Sequence, residues 1–253
     1  MTLWMRETRI RAVALNAEPT WRELYRAGGV SAIIAATAYI VAVVVEFTLP
    51  SVPTSGGAAI LEHIAAHRTV YILQQILWQG PSIFLIVLFL ALCLALKDLH
   101  PSYALIGGVL GIVSWAVTLA YPTTGGGAPA LVYLSDQYTN ATSESQRAAF
   151  SAAAEGFIAQ NYVATAMGVL EAIGILILSL VMLRGVFPKS VAYLGVVTGV
   201  AGVVCESLKP LLGIGYVVYG LLLFVWLIVI GWQLVELGRY RERATRFSAP
   251  LGE

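Results

Sequence analysis

Long apolar stretches alternate with short polar breaks along this chain, and the stretches have the length that hydrocarbon demands. A helix needs about 20 mostly apolar residues to cross a bilayer. The segments at roughly 28–49, 70–96, 102–121, 157–183, 188–207 and 212–237 meet that requirement. They predict an all-α polytopic membrane bundle of about six transmembrane helices over 28–237. A segment at 1–27 precedes it and a basic tail at 238–253 follows.

Local signals refine this outline. Thr20-Trp21-Arg22-Glu23 has the form of a capping box, so a short interfacial helix is expected to begin there. Trp21 and Tyr25 suit the headgroup zone. Gly28-Gly29 then permits a bend into the first span, and Gly80-Pro81 predicts a kink in the second. Pro122 to Gly127 reads as irregular loop. Ser143 and Gln146 suit a helix start, so 143–156 is expected to extend the fourth span outward as a solvated helix.

Composition agrees with the pattern. Of 253 residues, 58% are hydrophobic and 11% charged, and mean hydropathy is +0.81. Soluble domains carry about 25% charged residues, so lipid must cover much of the surface. A net charge of +1 leaves no basic face for nucleic acid. Cys93 and Cys205 lie in apolar segments without a CxxC, which argues against disulfide, thiol-redox and zinc-ribbon chemistry. No apolar h-region precedes the first span, so that span is expected to direct its own insertion.

The cationic residues orient the chain. With the N-terminus inside, the inner segments hold Arg6, Arg9, Arg11, Arg22, Arg26, Lys97, Arg184, Lys189, Arg239, Arg241, Arg243 and Arg246, leaving Arg68, Arg147 and Lys209 outside. The asymmetry predicts a cell-membrane protein with both termini cytoplasmic.

An ionisable group in hydrocarbon costs at least about 2.5–3.5 kcal/mol on insertion scales, so polar residues within the spans mark candidate sites. Tyr39 and Glu46 share a face of span one. Gln75, Gln79 and Ser82 follow i, i+4, i+7 in span two, with Gln74 and Trp78 beside them. Gln160, Ala164, Met167 and Glu171 form a stripe on span four, flanked by Asn161 and Thr165. Counting about 14 residues, or roughly 21 Å, from the segment's outer start puts Glu171 near mid-membrane. Glu206, with Lys209 three residues on, ends span five; Tyr121 and Tyr216 stand at the same level. The inner halves, Ile83 to Leu96, Ala172 to Leu183 and Leu221 to Gly231, are almost wholly apolar. A channel needs polar lining through its full depth or a gate. This asymmetry instead predicts an outward-facing pocket for a small amphiphile or lipid, with Glu171 at its floor. The bland alternative is interhelical hydrogen bonding by the amides and interfacial water at the acids.

A second cluster is Glu62-His63 and His67, just before span two. On a helix over 58–68 the imidazoles are i, i+4, a spacing that can chelate a divalent metal, with Glu46, Glu206 or Asp136 as a further ligand. His100 lies on the opposite side, which disfavours bis-histidine haem. Gly107-x-x-x-Gly111 and Gly195-x-x-x-Gly199, continued by Gly202, allow close helix approach within the bundle or in a homo-oligomer. Asn140-Ala141-Thr142 matches a glycosylation acceptor.

Three stretches resemble a family of bacterial six-helix membrane proteins of unknown function. They are Ala65-Ala66-His67-Arg68, Leu134 to Tyr138 with Ala152 to Glu155, and Leu183 to Lys189. The resemblance covers about 25–237 and implies topology alone. Besides an amphiphile-binding pocket, three functions fit the sequence. They are a metal-assisted membrane enzyme using His63 and His67, a proton-coupled transporter using Glu171, and a structural partner subunit.

Overall fold

The computed structural model describes residues 21–49, 52–53, 55–120, 128–162, 166–212 and 215–247, without the side chains of 161–162, 210 and 240–247. Helices α1 (Arg22–Thr48), α2 (Gly57–Ala66), α3 (Arg68–Gln79), α4 (Ser82–Leu96), α5 (Pro101–Ala120) and α6 (Ala130–Thr139) come first. Then follow α7 (Glu144–Tyr162), α8 (Ala166–Met182), α9 (Lys189–Ser207), the short α10 (Lys209–Leu212) and α11 (Tyr216–Phe247).

Among the described residues, five helical segments are long and apolar enough to cross a membrane: α1, α3 with α4, α5, α9, and Tyr216–Arg239 of α11. The fourth expected span differs from 157–183. Its described apolar part is α8, which has 17 residues, at the lower limit for spanning. Residues 157–162 belong to α7, because Ile158 is buried against α2 and α6 rather than in the bundle.

These helices pack as a ring in chain order. α1 meets α3 and α4, α4 meets α5, α5 meets α8, α8 meets α9, α9 meets α11, and α11 returns to α1. The ring closes through glycine: a Cβ added to Gly29 would lie 2.5 Å from the Gly231 carbonyl oxygen. α1 is continuous through Gly28 and Gly29, and their lack of a side chain serves close packing against Ala91 and Gly231. Among the described residues the helix begins at Arg22 and runs on into the span; Trp21 caps α1 without a side-chain bond, and Glu23 pairs with Arg22 at 3.3 Å and Arg26 at 3.7 Å. Thr20 of the expected capping box lies outside the described residues.

The break at Gly80-Pro81 is present. Pro81 has no N–H for the Leu77 carbonyl. The chain passes through a tighter turn, with the Phe84 N–H donating to the Pro81 carbonyl at 3.0 Å, before α4 resumes. Gly107, Gly111, Gly195, Gly199 and Gly202 are all buried between helices of this one chain. Their close neighbours are Gly174, Phe89, Trp226, Leu176 and Tyr219, so the expected small-residue faces are consumed by internal packing.

The half of the bundle nearest the start of α1 is dry. Leu88, Phe89, Leu92, Leu178, Met182, Trp226, Leu227 and Ile230 fill it. At that end the Lys97 ammonium lies 5.6 Å from the Trp21 ring centroid, and Gly238 packs on Arg26. Outward positions such as Ile83, Leu105 and Val197 are apolar and exposed, as a lipid-facing surface requires.

Helices α2, α6 and α7 form a cap at the other end around Ile60, Leu61, Ile64, Tyr71, Leu131 and Ile158. α6 falls where only loop was expected; Pro122 to Gly127 lies outside the described residues. The α7 start follows expectation: the Ser143 hydroxyl accepts from the Gln146 backbone N–H at 3.3 Å, and the Gln146 side-chain Oε1 accepts from the Thr142 N–H at 3.0 Å. The helix is not simply solvated, since Glu155 accepts from the Gly57 N–H at 2.6 Å and Ala154 is buried. Ser135 donates to the Leu61 carbonyl at 2.6 Å, and Arg68 pairs with Asp136. The Tyr71 hydroxyl both donates to the Ala128 carbonyl and accepts from its N–H, each at 3.0 Å, which ties the cap to the first turn of α3.

Candidate functional site

The wet half of the bundle contains a cavity of about 440 Å³ between α1, α3, α5, α8, α9 and α11. Its lining comes from the last turns of α1, α5 and α9 and the first turns of α8 and α11, all at the cap end. Eight of the residues singled out in the sequence meet there: Tyr39, Glu46, Trp78, Met167, Glu171, Glu206, Lys209 and Tyr216.

Hydrogen bonds fix the wall. Ser114 donates to the Met167 carbonyl at 2.7 Å, and Thr118 donates to the Ser114 carbonyl at 2.9 Å, joining α5 to the start of α8. Gly168, next in α8, leaves room for the Glu206 side chain, whose Cγ would otherwise lie 2.7 Å from a Cβ. Glu206 thereby turns inward and is only 5% exposed. Its carboxylate accepts from the Tyr216 hydroxyl. Lys209 stands above, with its ammonium 5.3 Å from the Tyr216 ring centroid.

Glu171 is 6% exposed. It lies close enough to Glu206, Tyr39, Tyr216 and Tyr219 to interact electrostatically with each. Among the described residues no group hydrogen-bonds its carboxyl. The Tyr39 and Tyr219 hydroxyls and the Trp115 indole N–H are likewise buried without a hydrogen-bond partner among those residues. Buried polar groups are normally satisfied, and four groups without a partner among the described residues stand around this one cavity.

Glu171 lies five residues into the described part of α8, about 7–8 Å from its start. Aromatic rings line the same cavity. Tyr39 stacks on Phe224 with centroids 5.7 Å apart and 14° between planes. Trp78 and Trp115 flank it at 5.8 and 6.4 Å. Glu171 shares the cavity wall with these rings.

Gln75, Gln79 and Gln160 do not line the cavity. Gln79 donates to Gln75 at 3.3 Å, so these amides meet one another one turn apart along α3. Gln160 is an exposed residue of α7. Asn161 lies on the same helix, its side chain outside the described residues, as are Tyr121, Ala164 and Thr165. The sequence reading missed Trp115, Tyr219 and Phe224. Ser114 and Thr118, small polar residues i, i+4 at the outer end of a span, carried a signal for the α5 face.

Phe47 at 78% and Leu221 at 58% exposure line it while also lying on the exposed apolar surface. α1 and α11 touch at Gly29 and Gly231, and residues nearer the cap end of both helices line the cavity.

The His63 and His67 rings lie in the cap, 4.9 Å apart and tilted 54°. Burial, and then the neighbouring His67, lower the His63 pKa. His67 falls at the junction of α2 and α3, outside both helices. Among the described residues no group of three His, Cys, Asp or Glu side chains converges on one point. Asp136 is engaged by Arg68, and Glu62 accepts from Tyr138 at 3.2 Å. Comparisons with family models, curated proteins and solved structures give no match.

Proposed function

We propose that this chain is a six-span membrane protein, both termini cytoplasmic, whose recess opens to the outer leaflet and binds a small amphiphile or lipid. The excess of Lys and Arg in the segments at the dry end supports the orientation. α8, with 17 residues, supports the sixth span by completing the ring. One observation carries the binding reading: a cavity of about 440 Å³ walled by a buried carboxyl that no described group satisfies. Small-molecule sites typically occupy about 300–1,000 Å³, with apolar walls and a few convergent polar groups. The carboxyls and phenols orient a polar end, and the exposed Phe47 and Leu221 lead an apolar tail toward the lipid. The packed inner half offers that tail no route toward the opposite face.

Native mass spectrometry of protein released from its own membrane tests this reading. The wild type is expected to carry a bound amphiphile, and Gly220→Phe, which projects a ring into the recess, is expected to lose it. Equal adducts on both proteins, or none on the wild type after gentle release, would overturn the reading.

A further inference from the structure

The recess carries a charge and ring pattern that specifies its ligand more narrowly; this inference rests on the binding reading above. Glu46, Glu171 and Glu206 line it, against the single cation Lys209. Besides Phe47, six aromatic residues line the same space: Tyr39, Trp78, Trp115, Tyr216, Tyr219 and Phe224. Aromatic faces attract cations through their quadrupole, and aromatic cages recognise quaternary ammonium groups. One ring here already does so, since the Lys209 ammonium lies over Tyr216 at the mouth. Deeper in, the 94% buried Glu171 has no countercharge and no hydrogen bond among the described residues. A buried carboxylate is costly unless paired, and an arriving cation supplies that pair.

We propose that the recess takes an organic ammonium joined to an apolar chain, with the nitrogen between Glu171 and the Tyr39, Trp115 and Tyr219 side chains. The chain leaves past Phe47 and Leu221 into the lipid. Anionic amphiphiles of the same length gain no such pair with the carboxyls and no attraction from the ring faces. The ammonium belongs to a choline or ethanolamine lipid headgroup or to a free long-chain amine.

Calorimetric titration of the protein in dodecyl maltoside, a detergent without charge, separates these statements. Decyltrimethylammonium is expected to bind at least tenfold more tightly than decyl sulfate, and Glu171→Gln to lower the ammonium affinity at least tenfold. Diheptanoyl phosphatidylcholine that binds with the same Glu171 dependence assigns the ligand to lipid; binding of the single-chain amine alone assigns it to a free amine. Either result supports the proposal. Equal affinity for the two decyl ions, with both abolished by Gly220→Phe, overturns the cation assignment and leaves the pocket reading standing. Binding untouched by Gly220→Phe overturns both.

Discussion

Gly220 is the position where the recess can be blocked with least disturbance to the fold. It lies on α11 in the cavity wall, and a Cβ added there meets nothing within 4 Å. A void of about 150 Å³ holds a benzene ring, so the ring of Gly220→Phe takes roughly a third of the cavity. A phenylalanine-sized group buries about 150–250 Å². At about 25 cal/mol/Å² the ligand contact displaced is worth roughly 4–6 kcal/mol. That figure is an upper bound, because buried area converts poorly into affinity. A loss of about 1.4 kcal/mol or more, tenfold in Kd, is the expected floor. The free protein should melt no lower than the wild type, since glycine inside a helix costs about 0.8–1 kcal/mol relative to alanine. Calorimetric titration with decyltrimethylammonium, paired with thermal melts in the same detergent, gives both quantities. Unchanged affinity in a variant that melts normally would refute the placement of the ligand.

Further tests address the scaffold. Tyr71→Phe leaves the Ala128 N–H and carbonyl buried and unsatisfied, which costs about 1–3 kcal/mol for an orphaned group; faster amide exchange over 57–66 and 130–139 is expected, and exchange equal to wild type would remove the strut role of Tyr71. Gly231→Val forces α11 away from α1, because a Cβ there already lies 2.8 Å from the Gly29 carbonyl oxygen; a loss of about 1–3 kcal/mol is expected, and an unchanged melting temperature would contradict this close approach. His63 has a lowered pKa in the folded state, so the unfolded chain binds the proton more readily. The stability this provides is present above about pH 6.5 and is lost as pH falls through the lower folded pKa. The fall in melting temperature between pH 7.5 and 5.5 should therefore be smaller in His63→Gln, and an equal fall in both proteins would contradict the assignment.

The spans were legible because hydrocarbon imposes a length and a composition, and the Gly80-Pro81 break because proline lacks a donor. The close contact at Gly28-Gly29 went unseen because the same two residues permit a bend or a close approach, and only the presence of Gly231 opposite reveals the approach. The boundary of the fourth span was misjudged because the alanine-rich 144–162 stretch offers little contrast between a lipid face and a cap face. Helix α6 went unseen because its buried Leu131 and Ser135 have meaning only against α2. The acids and Tyr39 of the recess were found because charge in a membrane is conspicuous. The aromatic lining was not, since Trp115 and Phe224 at helical spacing look the same whether they pack a core or enclose a ligand. Gln75 and Gln79 pointed to the correct span but the wrong side chains; their neighbour Trp78 is the one that lines the space.

Photo-crosslinking tests the central claim most directly. A decylammonium probe with a diazirine near its headgroup, irradiated with the protein in lipid nanodiscs and mapped by peptide mass spectrometry, reports where the ligand sits. Adducts on Tyr39, Met167, Trp115 or Phe224 that disappear in Gly220→Phe are the predicted result. Adducts confined to lipid-facing residues such as Ile83, Leu90 and Leu105, and unchanged by that substitution, would contradict it.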